Sequence, residues 1–439
     1  MTVPFLDVGA SYRELKEDID VAMARVLDSG WFVLGEEVER FEQAFAAYCD
    51  ATHAVGVGNG LDALHLALRA AGIGPGDEVI VPGNTFIATA LAVTYAGAEL
   101  VLVEPDPVTH NLDPNAVPAA MTEKTAAIIA VDLYGMPADL YALRRVARAH
   151  GVLFIEDAAQ AHGARLDGAR VGSIADVTTF SFYPGKNLGA FGDGGAVTTN
   201  DEALASKLRS LRNYGSTVKY HHDDLGFNSR LDTLQAAILG VKLAHLDAWN
   251  ARRAAMARGY REALGDLDGL TLPEWPDDRQ GSWHLFVVRH RRRDALRQAL
   301  RDRSVATQIH YPIPVHLTGA YANLGYREGQ LPVTEDLAQQ VLSLPISPHH
   351  SDEEHRMVVD AVRAACAEVS LWLGSGCCSW PPSSFKEAPS GGCMRWRGAW
   401  IGVASRWRFS PVTAFRNRST TSANISMRGC GFTGVCPNS

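Results

Sequence analysis

Between His53 and Asn200 short apolar runs alternate with amphipathic segments, and this alternation limits the chain to few architectures. HAVGVG, EVIVP, ELVLVEP, AAIIAVDLYG, VLFIED, VTTFSF and GAVTTN read as seven strands. LDALHLALRAAG, TFIATALAVTYAG and PADLYALRRVARAHG read as helices, the first ending at Gly72, the last with Pro137 near its start and Gly151 after it. Strand–helix alternation at this spacing predicts an α/β fold: an open, mostly parallel sheet with helices on both faces. After about residue 230 the pattern changes. The segment from Arg230 to Leu264 reads as one long helical stretch, SWHLFVVRH as a strand, DALRQALRDRS as a helix and ATQIHY as a strand. DEEHRMVVDAVRAACAE closes the series as a helix with acidic residues in its first turn. We therefore expect a large α/β domain over 1–230, with an N-terminal arm, and a smaller α+β domain over 231–368.

Composition excludes several classes of function. With 46% hydrophobic and 21% charged residues among 439, the chain reads as soluble and globular. No apolar run reaches the roughly 18 to 20 residues that span a bilayer. The N-terminus, MTVPFLDVGASYRELKEDID, lacks a secretory apolar core, so a cytoplasmic setting is expected. A net charge of −8 gives no footprint for nucleic acid. Residues 369–439 differ in kind. Cys377, Cys378, Cys393, Cys430 and Cys436 all fall there, without any His and without zinc-like spacing, so no metal site is expected. No helical or strand period runs through this tail, which reads as a disordered or non-native extension.

The chemistry-bearing residues stand at the junctions. SFYPGKNLGAFGDGG holds Lys186 in a chain with 34 Arg and only 7 Lys. A phosphate-loop motif fails here, because Phe180 and Asn187 occupy the positions of its first glycine and its hydroxyl. A nucleophilic role suits lysine specifically: an amine condenses with a carbonyl, whereas a guanidinium stays protonated. The other reading of Lys186 is a solvated loop charge. Asp157 closes the apolar strand VLFIED, at the sheet edge where ligands bind in such folds. It is either a helix N-cap or the partner of a buried cation, such as the protonated pyridine nitrogen of pyridoxal phosphate. Gln160, three residues on, is placed for the phenolic oxygen of such a ring. Gly58, Asn59 and Gly60 separate a strand from a helix and offer free amides to a phosphate. Ser181 is a candidate hydroxyl donor to the same phosphate, and Phe86 either stacks on a flat ring or belongs to the core.

Taken together, EDAAQAHGA, SFYPGKNLGAFGDGG, GFNSRLDTLQAAIL, IHYPIPVH and LSLPISPH resemble the DegT/DnrJ/StrS-type nucleotide-sugar aminotransferases, within the fold-type I pyridoxal-phosphate enzymes. The resemblance runs from about residue 3 to 367. It implies that Lys186 links covalently to the cofactor and later moves the proton, and that Asp157 pairs with the pyridinium nitrogen. It implies that Gln160 meets the phenolic oxygen, that Phe86 covers the ring, and that Ser181 with the amides around Gly60, Leu61 and Asp62 holds the phosphate. Asn228 resembles a residue that reaches the neighbouring subunit's cofactor, which implies a homodimer with shared sites; by itself it reads as a turn residue. The wording is most like enzymes acting on C3 of dTDP-3-keto-6-deoxyhexoses with L-glutamate as donor, and C4 amination is the alternative. In that branch Tyr183, His310 and Tyr311 approach the hexose, although Tyr183 also reads as loop packing and the other two as a strand end. Lys219 and Arg230 are candidates for the anionic nucleotide or plain surface charges. Lys186 argues against the dehydratase offshoot, which carries His there. A pyridoxal-phosphate-binding regulator without catalysis is the alternative from a different class. One position departs from the family pattern: Asp132 in VDLYGMP stands where VHLYG is expected.

Overall fold

The computed structural model describes residues 2–374, with side chains to Ser370. The five tail cysteines and the expected disorder beyond 374 therefore lie outside the described residues. Seven strands form the main sheet: β1 His53–Val57, β2 Glu78–Pro82, β3 Glu99–Val103, β4 Thr125–Val131, β5 Leu153–Asp157, β6 Val177–Ser181 and β7 Gly195–Thr199. Their order is β1-β7-β6-β5-β4-β2-β3. β2/β3, β2/β4, β4/β5 and β5/β6 pair in parallel, and β7 runs antiparallel to both its neighbours. Six strands thus share one direction, and the expected mostly parallel sheet is present. Its central strands are apolar throughout because helices cover both faces: Ile128, Ile129 and Ala130 of β4 are fully buried.

Local chemistry sets the helix ends. Helix Gly60–Ala70 starts at Asn59, whose side chain accepts from the Asp62 amide, and helix Leu140–His150 starts at Asp139, which caps Ala142. Both helices Ile87–Ala96 and Leu140–His150 stop at left-handed glycines, Gly97 and Gly151. On one face Leu64, Leu66, Leu68 and Val93 pack over β2 and β4. On the other, the Phe45 ring meets Phe41, Phe180 and Phe182 at 5.6, 4.9 and 5.3 Å. Truncating so enclosed a ring costs about 3–5 kcal/mol.

Residues 270–344 add a second sheet in which Phe286–His290 pairs antiparallel with Leu270–Thr271 and with Val341–Leu344. Its core of Tyr260, Phe286, Leu300 and Leu342 also takes in Val3. The closing helix continues through Gly374, and Val369 is buried in that core.

Two expectations differ from the structure. The stretch expected as one helix is two, Thr233–Leu243 and Leu246–Leu264. The break at Ala244–His245 turns Trp249 onto Leu15 and Ile19, where its indole donates to Glu14 at 3.0 Å. ATQIHY makes only a single bridge, Gln308 to Ser343, rather than a strand, and carries a cis peptide at His310–Tyr311. No helix among the described residues is long and apolar enough to cross a membrane.

Candidate active site

The carboxyl ends of β1, β2, β5 and β6 lie along one edge of the sheet, and they deliver Gly60, Phe86, Asp157 and Ser181 to it. Asp157 is buried there. Thr89 donates to its Oδ2 at 2.9 Å and the Ala159 amide to its Oδ1 at 3.2 Å. Burial raises its proton affinity above the ordinary carboxylate range, against the pull of those donors and of the Lys186 charge. A carboxylate so placed suits a protonated ring nitrogen.

Lys186 shares this environment. Burial pushes its ammonium down to about 8, with the Asp157 charge opposing. The loop around it is fastened at several points. The Lys186 amide donates to the Tyr183 carbonyl at 2.8 Å. Asn187 Nδ2 donates to the Ser282 carbonyl at 2.8 Å and to Asn250 Oδ1 at 2.9 Å. The neighbouring imidazoles are kept neutral. His162 is pushed down to about 3 and His310 to about 4, in both cases by burial first and the Lys186 charge second. His284 moves in the same direction for the same reasons.

Gln160 is held by the Tyr134 amide, which donates to its Oε1 at 2.6 Å, and its Nε2 donates to the Tyr311 hydroxyl at 3.1 Å. The Tyr311 ring lies 5.2 Å from Phe86, which is 50% exposed and so open to a flat ligand. His310 Nδ1 lies 2.8 Å from Ser343 Oγ.

The phosphate end has a visible steric requirement. A Cβ added at Gly60 would fall 2.5 Å from Ser181 Cβ, so only glycine lets the helix start approach that hydroxyl. The amides of Gly60 and Leu61 precede the first intrahelical hydrogen bonds. The Asp62 amide, expected to join them, is instead taken by the Asn59 cap at 2.8 Å, because capping satisfies that donor locally. The residues therefore fit pyridoxal phosphate: a helix start and a hydroxyl for its phosphate, a buried carboxylate for its nitrogen, and a weakened ammonium for its aldehyde. Gly60→Ala is expected to destabilise the protein by about 1–3 kcal/mol through overpacking, where alanine in a helix is ordinarily favoured. Adding Ser181→Gly should recover part of that loss in thermal unfolding; no recovery would mean that the Ser181 contact is not the cause.

Of the sequence candidates, Lys186, Asp157, Gln160, Phe86, Ser181, Gly60, His310 and Tyr311 are thus placed at one edge. Tyr183 sits on the same loop, 59% exposed. Lys219, Asn228 and Arg230 make no hydrogen bond, ion pair or ring contact with this cluster among the described residues. Lys219 is exposed and lies 5.2 Å from the Tyr220 ring, Asn228 bridges Asn213, and Arg230 donates to Asn213 Oδ1 at 2.9 Å. Residues missed from sequence include Thr89, Tyr134, Asn187 and Ser229, which accepts from Gly58 at 3.0 Å and donates to Asp62 at 2.6 Å. Thr89 left one signal, a hydroxyl one helical turn after Thr85 within an apolar helix.

A mostly parallel sheet with a buried acid, a lysine and a helix start at its carboxyl edge fits a pyridoxal-phosphate-dependent enzyme. The chain belongs to the DegT/DnrJ/EryC1/StrS aminotransferase family, whose pattern matches residues 13–363. It is 56% identical over 361 residues to the dTDP-3-amino-3,4,6-trideoxy-alpha-D-glucose transaminase of Streptomyces venezuelae, covering 82% of this chain and 95% of that one. It is 57% identical over 364 residues to the erythromycin biosynthesis sensory transduction protein EryC1 of Saccharopolyspora erythraea, covering 83% and 100%. The crystal structure of S. venezuelae DesV in complex with a ketimine intermediate superposes with a TM-score of 0.82 at 56% identity, covering 83% of this chain and 98% of that one. Other solved relatives hold the cofactor's amino form.

Proposed function

We propose that the enzyme transfers an amino group from L-glutamate to C3 of a dTDP-linked 3-keto-6-deoxyhexose, in the cytoplasm and as a homodimer with shared sites. The observation that carries this reading is a buried Asp157 and a buried Lys186 close enough to feel each other's charge, in a chain 56% identical to a transaminase named for a 3-amino sugar. Bound pyridoxal phosphate supplies an aldehyde for the donor amine and an aromatic system that accepts the electron pair left when a Cα proton departs. The chain does the rest. Asp157 keeps the proton on the ring nitrogen. With the cofactor bound, Lys186 Nζ would serve as the base that takes the proton from the donor's Cα and delivers it to the cofactor's C4′, across the nitrogen between them. Gln160 and Phe86 orient the ring, and the Gly60 helix start with Ser181 anchors the phosphate. Amino group out and amino group in pass through the same groups, so ping-pong kinetics are expected.

The assay that decides the carbon supplies glutamate with a 3-keto or a 4-keto dTDP-sugar and identifies the amino product. A 3-amino sugar is the expected outcome, and a 4-amino product would replace this reading with C4 specificity.

The dimer reading is supported by apolar side chains left in solvent: Trp31 at 62%, Tyr220 at 83% and Leu225 at 87% exposure. In it Asn228, Lys219 and Arg230 serve the partner's site. Mixed subunits test this. Lys186→Ala and Asn228→Ala proteins, co-refolded, form heterodimers with one intact site, so activity should rise to about a quarter of wild type. Activity no higher than the mean of the two homodimers would place Asn228 in its own subunit's site or in none.

A further inference from the structure

Directly behind Asp157 lie two buried carboxyl groups that the reaction itself does not use. β4 and β5 pair in register, Ala130 with Glu156 and Val131 with Asp157. Asp132, the next residue after β4, donates its backbone N–H to the Asp157 carbonyl at 3.0 Å. Asp132 and Glu156 have no solvent exposure, and neither enters an ion pair among the described residues.

Buried carboxyl oxygens need donors. Asp132 Oδ1 accepts from the Ala138 amide at 2.8 Å. Glu156 Oε2 accepts from Thr178 Oγ1 at 2.6 Å and from the Gly172 amide at 3.2 Å. Asp132 Oδ2 and Glu156 Oε1 receive no N–H or O–H from the described residues. The two carboxyl groups lie within hydrogen-bonding reach of each other. Two bare carboxylates at that separation in a dry interior repel strongly. A single proton between them removes one charge and gives each orphaned oxygen a partner.

We propose that Asp132 and Glu156 share one proton, and that the pair acts as a positioning device for Asp157, locking the edge of β4 to the β5 residue that faces the cofactor ring. The pair's role rests on the aminotransferase reading, but its existence does not. A carboxylate brings no N–H or O–H of its own, so Asp132 can donate to Glu156 Oε1 only by taking up a proton. The other titratable groups facing the pair are Asp157 and the Cys49 thiol. Asp157 adds negative charge that favours the shared proton, and burial keeps the thiol neutral.

The proton makes the pair visible. Burial and the Glu156 charge raise Asp132 well above the ordinary carboxylate range. Above about pH 4 the unfolded chain has lost this proton and the folded one keeps it, so this group's contribution to stability falls as pH rises. Asp132→Asn still donates to Glu156 Oε1 and still accepts from Ala138, but has no proton to lose. The experiment is urea unfolding of the full chain from pH 5 to pH 9. The Asn variant should gain on wild type as pH rises, by up to about tenfold in the folding equilibrium per pH unit. A companion measurement is pyridoxal phosphate affinity by fluorescence titration. Asp132→Asn should bind like wild type, and Asp132→Ala, which leaves Glu156 unpartnered, should bind about tenfold or more weakly. A pH-independent difference between Asp132→Asn and wild type would overturn the shared proton. Equal cofactor affinity in Asp132→Ala would overturn the positioning role. Either failure is distinct from failure of the aminotransferase reading, which would show as undiminished turnover in Lys186→Ala.

Discussion

Lys186→Ala is expected to lower transamination by about 10⁴-fold or more, because in the proposed reaction one side chain both binds the cofactor's aldehyde and moves the substrate proton. Lys186→Arg should fare no better. The guanidinium stays protonated at any working pH, and burial at this position opposes its charge besides. In the proposed reaction a lysine at this position of an arginine-rich chain is thus a chemical requirement. The site also predicts how the wild-type protein takes up its cofactor. Burial sets the Lys186 ammonium at about 8, and only the neutral amine attacks a carbonyl. Covalent capture of pyridoxal phosphate by cofactor-free enzyme should therefore accelerate with pH and level off above about pH 8, followed by absorbance in stopped flow. A rate still climbing steeply to pH 10 would show an amine in an ordinary aqueous environment.

Asp157→Asn is the second large effect, a fall of about 10²–10³-fold in kcat/KM. The amide keeps the shape and can keep the Thr89 contact, but it no longer holds a proton on the ring nitrogen. The same substitution should stabilise the cofactor-free protein. Burial raises the Asp157 proton affinity in the folded state, so its ionised form costs stability above the unfolded carboxylate's pKa near 4. The variant should melt higher than wild type at pH 8 without cofactor while turning over far more slowly. That opposite movement marks a residue kept for function at the expense of stability. A lower melting temperature, with activity intact, would make Asp157 a structural cap.

Much of this was legible before the structure. The strands of the main sheet are short apolar runs, and such runs leave a strong imprint on sequence because both faces are covered. Asp157 and Lys186 were legible for a related reason: Asp157 ends an apolar strand and Lys186 stands in a glycine-rich loop, where a plain structural role would not call for a charge. The chain around Ala244–His245 was not, because neither residue is a helix breaker and the break answers to the packing of Trp249. Thr89, Tyr134 and Asn187 act through contacts across long sequence separations, from 26 residues for Tyr134 with Gln160 to 95 for Asn187 with Ser282. No local spacing encodes those. Asp132 lies between these cases. Its departure from VHLYG was plain, but its meaning depended on the β4/β5 register that brings Glu156 beside it.

The most direct test of the central assignment is chemical. Purified enzyme is reduced with borohydride, digested, and searched by mass spectrometry for the lysine that carries the cofactor. The protein contains a real competitor, since burial also holds Lys242 at about 8, where it donates to the Gly189 carbonyl at 2.7 Å. The label is expected on the SFYPGKNLGAFGDGG segment, at Lys186. A label on Lys242, or on no lysine at all, would contradict that assignment.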